Sequence, residues 1–151
     1  LDIEKRVGIE VDLRLNALIP DAYVHDINTR LILYKRLSGC HTEQAINDLK
    51  AEVIDRFGIL PESTANLINI AKLKLQALQY GIERIDLSSD SGAVDFIDKP
   101  PIDPMSIITL IQKEPDQYKL ISNKRLQLNY AVGDNKFNIL DTLFERLVTV
   151  A

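Results

Sequence analysis

The sequence predicts an α+β fold in which an N-terminal strand and helices pack with two β-hairpins and a C-terminal helix. Three observations carry this. Apolar residues recur at helical spacing through residues 26–80, with a capping residue or a proline before each run and a glycine after it. After Gly81 the repeat drops to two, in two segments that each fold back on themselves. A helical repeat returns from about Asn135. Helices followed by hairpins, without alternating β-α-β units, is the pattern of an α+β domain.

The opening strand rests on Val7, Ile9, Val11, Leu13 and Leu15, which alternate with Gly8, Glu10, Asp12 and Arg14. Ala17-Leu18-Ile19-Pro20 ends it, and residues 21–25 form a connector. Asp26 then caps a helix running to about Leu37: its carboxylate can accept from the free N–H groups of the first turn. Ile27, Leu31 and Tyr34 are its expected inner face, widened by Leu33 and Leu37. Gly39 stops it. Thr42 caps a second helix with Ile46, Leu49, Val53 and Phe57 as its stripe and Gly58 as its end. Pro61 opens the longest helix, to about Tyr80. Two rows, Leu67-Ala71-Leu75-Leu78 and Ile70-Leu73-Ala77, make it apolar around most of its circumference, so it is expected to be covered on more than one side and to lie at the centre of the domain.

Beyond Gly81, Ile85 and Leu87 face Val94 and Phe96 across an expected five-residue loop, residues 88–92. Asp103-Pro104 is a cap followed by proline at the first helical position, starting a short helix to about Lys113. Tyr118 to Ile121 and Arg125 to Tyr130 form the second hairpin. A last helix from Asn135 to Val150 is expected to bury Phe137, Leu140, Phe144 and Leu147. With no internal repeat and no long linker, residues 1–151 read as a single domain.

Composition narrows the function. With 18 basic and 22 acidic side chains the formal net charge is -4, which argues against a dedicated duplex-DNA binder. The basic pairs Lys35-Arg36 and Lys124-Arg125 are too few and too far apart for a nucleic-acid groove, and there is no tryptophan for base stacking. One cysteine gives no internal disulfide, and neither a signal peptide nor a run of about 20 apolar residues is present. A cytoplasmic protein without membrane contact is expected. The only methionine is Met105, so the chain is expected to be a piece of a longer protein.

Catalytic patterns are sparse. Cys40 and His41 are adjacent, a poor arrangement for chelating one metal, and no further cysteine or histidine stands at ligand spacing. His25-Asp26 looks like half of a triad, but Asp26 is accounted for as a helix cap. The six glycines are too dispersed for a phosphate cradle. One pattern fits either a solvated acidic face or a binding surface: Asp48, Glu52 and Asp55 fall at i, i+4 and i+7 on the side of the second helix opposite its apolar stripe. A row of carboxylates suits arginines on a partner, because guanidinium forks bind carboxylates bidentately.

Val11-Asp12-Leu13-Arg14-Leu15-Asn16-Ala17-Leu18-Ile19-Pro20, Asp26-Ile27-Asn28-Thr29-Arg30-Leu31 with Tyr34-Lys35-Arg36, Ile54-Asp55-Arg56-Phe57-Gly58-Ile59-Leu60-Pro61, and Leu110-Ile111-Gln112-Lys113-Glu114-Pro115 with Tyr118-Lys119-Leu120 together resemble the C-terminal domain of the bacterial transcription-repair coupling factor. The resemblance covers about residues 9–121 and thins after Arg125. It implies a non-catalytic regulatory domain of a longer protein. The parent is then an ATP-dependent translocase on duplex DNA, with ATP and magnesium held in its motor domains and no cofactor in this fragment. The domain's implied partner is the excinuclease B-homology module of the same chain, on which it packs to mask the surface that binds excinuclease A. Excinuclease A and RNA polymerase are indirect partners, and DNA is bound by the parent rather than here. Within that resemblance Glu52 and Asp55 match acidic positions facing the B-homology module, while Asp48 is added by spacing. The alternatives are a direct DNA- or RNA-polymerase-binding module, or a small enzyme with an unrecognised site.

Overall fold

The computed structural model describes residues 8–150, which form two compact units. One comprises residues 15–75; the other comprises residues 8–14 and 76–150.

The first unit is helical. It contains α1 (Ile27–Ser38), α2 (Glu43–Phe57) and most of α3 (Glu62–Gln79). The caps follow the residue chemistry: Asp26 accepts from Thr29 N at 3.0 Å and Thr42 accepts from Ala45 N at 3.0 Å. At the end of α2, Gly58 takes φ 95°, a conformation that costs a Cβ-bearing residue far more. The core gathers Leu33 and Leu37 of α1, Ile46, Leu49 and Val53 of α2, Ile68 of α3, and Ile19 and Val24 of the connector. Tyr34 ties that connector down by accepting from Ile19 N at 2.6 Å through its hydroxyl oxygen. Along α3 only Glu62, Leu78 and Gln79 are exposed, as a helix apolar on most sides requires.

The inner face expected for α1 is corrected. Ile27 and Leu31 are 59% and 58% exposed, and the buried residues are Leu33 and Leu37. Apolar residues at 27, 31, 32, 33, 34 and 37 surround most of this helix, so spacing does not choose a side; packing does.

The second unit is built on a five-stranded sheet of order β1-β2-β3-β5-β4. Its strands are β1 (Glu10–Asp12), β2 (Ile82–Leu87), β3 (Ser91–Phe96), β4 (Tyr118–Leu120) and β5 (Arg125–Asn129). β1 runs parallel to β2, and the other pairings are antiparallel. The buried face is laid down in register. Ile85 pairs with Val94 and Val94 with Leu126; Leu87 pairs with Gly92 and Gly92 with Leu128. A bulge between Ile82 and Arg84 shifts the β2 register, which puts Ile82, Ile85 and Leu87 in the core despite a spacing of three between the first two. α4 (Pro104–Lys113) packs on β4 and on α5 (Lys136–Arg146).

Three sequence-based boundaries are corrected in this unit. The opening strand is only three residues long; Val7 lies outside the described residues, and Leu15 is 40% exposed. Arg14 adopts φ 56°, and its N–H donates to the Asp12 carboxylate at 2.9 Å, an Asp-centred turn that ends the extended run. The first hairpin loop is residues 88–90, shorter than expected, because Ser91 and Gly92 already pair with Asn129 and Leu128. The last helix stops at Arg146 and not at Val150. From Leu147 the backbone is extended, Asp103 N donates to Val148 O at 2.7 Å, and Thr149 bridges Ile102. Leu140, Phe144 and Leu147 are buried as expected, whereas Phe137 is half-buried and Leu143 is buried instead.

Candidate functional site

α2 buries Ile46, Leu49 and Val53 and turns its other side to solvent. Asp48, Glu52 and Asp55 are on that side, and they are not equivalent. Asp55 is exposed and forms no hydrogen bond or ion pair with another described residue. Asp48 is exposed and accepts from the Gln44 side-chain amide at 2.8 Å, a neutral partner that leaves its charge uncompensated. Glu52 is different. Its two oxygens accept from both terminal nitrogens of Arg36 on α1, at 2.5 and 2.9 Å. This fork holds the Glu52 carboxyl below its ordinary pKa, chiefly through the hydrogen bonds from Arg36, while both side chains remain more than 40% exposed.

The Arg36–Glu52 fork joins residues sixteen apart in sequence, beyond the helical i, i+4 rule by which sequence reasoning placed the carboxylate row. Arg36 is therefore the site residue that the sequence reading missed. Close by, Arg56 lies over the Phe57 ring with its guanidinium carbon 4.8 Å from the ring centroid. The α2 surface thus offers two uncompensated carboxylates flanking a third that is held by an exposed guanidinium.

The remaining chemistry-bearing residues are explained by packing. Asp26 is a cap whose carboxyl is held below its ordinary pKa, first by the Thr29 hydroxyl. Cys40 is half-buried, its thiol donates to Arg36 O at 3.3 Å, and burial pushes its pKa up, away from thiolate character. Among the described residues no group of three or more His, Cys, Asp or Glu is placed to hold a metal ion. Of the two basic pairs, Arg36, Lys124 and Arg125 are engaged internally, the last two with Asp98 and Asp95. A polar recess of about 420 Å³ over the sheet is lined by Arg14, Arg84, Asp86, Asp95 and Arg125, all of them ion-paired.

This architecture defines a mixed-sheet α+β domain of a kind already solved. The crystal structure of the C-terminal domain of transcription-repair coupling factor matches it with a TM-score of 0.75 at 18% identity, over 91% of this chain and 88% of that chain, a likeness of fold. The TRCF domain family model matches residues 13–107, and the chain belongs to that family. It is 38% identical to the transcription-repair-coupling factor of Escherichia coli K12 over 130 residues, which is 86% of this chain and 11% of that protein. It is 37% identical to the transcription-repair-coupling factor of Haemophilus influenzae over 142 residues, 94% of this chain and 12% of that protein. The chain therefore spans roughly a ninth to an eighth of the length of these relatives. No helix among the described residues is long and apolar enough to cross a membrane.

Proposed function

We propose that this chain is the C-terminal regulatory domain of a transcription-repair coupling factor and acts without chemistry of its own. It packs on the excinuclease B-homology module of the parent, masks the surface that binds excinuclease A, and restrains an ATP-driven DNA translocase in transcription-coupled repair in the cytoplasm. RNA polymerase engagement of the parent releases that contact. ATP and magnesium belong to the parent's motor domains. Family membership supports the setting, and the observation that carries the mode of contact is the α2 surface, where Asp48 and Asp55 lack a counter-ion among the described residues.

The geometry suggests how such a contact is made and broken. Arginines on the partner pair with Asp55 and Asp48, while Glu52 exchanges its internal guanidinium for an incoming one. Exchange between two exposed forks replaces like with like, so it changes the free energy little and keeps the contact reversible. A tethered partner needs only modest affinity, because linkage supplies a high effective concentration. The test uses the full-length parent carrying Glu52→Lys with Asp55→Lys. Raised ATPase activity and raised binding of excinuclease A are expected; if both match the unmodified protein, the α2 surface is not the restraining contact.

A further inference from the structure

On another side of α1 from the Arg36–Glu52 fork, the helical unit has an open apolar groove of about 570 Å³ between α1 and α3. Its walls are Leu31 and Tyr34 of α1 and Leu67, Ile70 and Leu75 of α3, with Ile46 of α2 also lining it. The groove is distinct from the acidic surface. At 100° per residue, Arg36 points about 140° away from Leu31 around α1.

Two features identify an occupant. First, the polar side chains at the groove include Lys35, Lys74 and His41 and no carboxylate, in a chain whose formal net charge is -4. Lys35 is exposed and Lys74 half-buried, the disposition of lysines whose stems cover apolar surface while their ammonium groups reach out. Second, the row along α1 outruns the cavity. Ile27, one turn before Leu31, is 59% exposed, so the row Ile27-Leu31-Lys35-Ser38, apolar in its first half and polar in its second, runs about 16 Å along α1. That length suits three turns of a helix laid into the groove, with apolar anchors at i, i+3 or i+4, and i+7. A compact small molecule would leave much of it uncovered.

We propose that this groove is a docking site for an amphipathic helical segment of a protein partner, with aliphatic side chains on one face and acidic residues on its flanks. The aliphatic side chains enter between α1 and α3, and the flanking carboxylates meet Lys35 and Lys74. The domain then carries two surfaces of opposite demand: α2 selects cations, and the α1–α3 groove selects an anionic, apolar helix. This reading is independent of the role proposed for α2.

The test titrates the whole chain with a fluorescein-labelled helical peptide of about 16 residues bearing leucines at i, i+3, i+4 and i+7 and glutamates on its flanks. A companion peptide replaces every glutamate with lysine, and dodecanoate serves as a small anionic amphiphile. Saturable binding of the acidic peptide is expected, at least about tenfold tighter than that of the basic one. Lys35→Glu with Lys74→Glu should invert the preference, Leu31→Gln should weaken binding, and Asp55→Lys should leave it unchanged. Leu31 and Lys35 are exposed, so substitutions there test recognition and not folding. Equal binding of the two peptides, binding indifferent to both lysine reversals, no binding of the acidic peptide, or its complete displacement by dodecanoate below the micellar concentration would each overturn the assignment.

Discussion

The solvent face of the sheet and the helical unit treat their surface charges differently. Across the solvent face of the sheet, charges are paired: Arg125 of β5 with Asp95 of β3 at 2.7 Å, Arg14 just after β1 with Asp86 of β2 at 2.8 Å, and Arg84 of β2 with Asp86 on the same strand at 3.6 Å and with Glu10 of β1 at 3.9 Å. Arg146 and Glu114 join α5 to the end of α4 in the same manner. Residues 15–75 hold seven acidic and seven basic side chains, yet the one ion pair among them is Arg36–Glu52. Pairing there is not limited by supply. Exposed pairs add little stability in either unit, so the contrast bears on recognition more than on folding. A surface whose charges are already matched offers a partner little, whereas an unmatched one selects its complement.

The largest effects are expected where each unit's core is held. A Cβ at Gly92 would stand 2.7 Å from Leu87 Cα, against the backbone of the paired strand. Gly92→Val should therefore separate β2 from β3, costing about 3 kcal/mol. Amide exchange should show protection lost first in residues 82–129, and equal loss across the helical unit would mean that the two units do not differ in local stability. In the helical unit Leu33 is buried at 3% exposure, and Leu33→Ala should cost about 3 kcal/mol through the cavity it leaves. Denaturant melts followed by circular dichroism read that value, and a cost below about 1 kcal/mol would contradict the corrected inner face of α1.

Smaller effects separate structural carboxylates from displayed ones. Asp26 and Glu52 both have folded-state pKa values below those of the open chain. Their contributions are thus present above the ordinary carboxylate range near pH 4 and are lost as pH falls through the lowered values. Asp26→Asn keeps an acceptor at the cap and should flatten this acid limb in thermal melts; an unchanged limb would contradict the role of the cap. Arg36→Gln is expected to change stability least. Removing the guanidinium that competes for Glu52 should strengthen binding to an arginine-bearing partner several-fold, as read by calorimetry. Weakened binding would show that Arg36 itself belongs to the contact.

Much of the fold was legible because it rests on local chemistry. Asp26, Thr42 and Asp103 each cap the helix expected after them, since a side-chain acceptor two or three residues ahead is a short-range requirement, while Asn135, expected as the first residue of the last helix, is its cap. The alternation of Leu126 and Leu128 fixed the buried side of β5 in the same way. Legibility stopped where several segments decide together. α1 is apolar on most sides, so its inner face depends on α2. The left-handed turn at Arg14 has no glycine to announce it, and the bulge in β2 is visible only against β3. The carboxylate row could be read from the spacing in α2, but the capture of Glu52 by Arg36 required the packing of α1 on α2. The groove between α1 and α3 likewise has no signature in any one stretch of chain.

The central claim is that uncompensated charge on the helical unit makes the inhibitory contact, while charges of the sheet unit that are already ion-paired, Glu10 and Asp98 among them, are neutral to it. The direct measurement is the calorimetric affinity of this chain for the excinuclease B-homology module of the same factor. Three forms are compared: unmodified, Asp48→Lys with Asp55→Lys, and a sheet-unit control, Glu10→Lys with Asp98→Lys. The account predicts a loss of about tenfold or more for the α2 pair and none for the control. Equal affinity of all three forms, or a loss confined to the control, would contradict it.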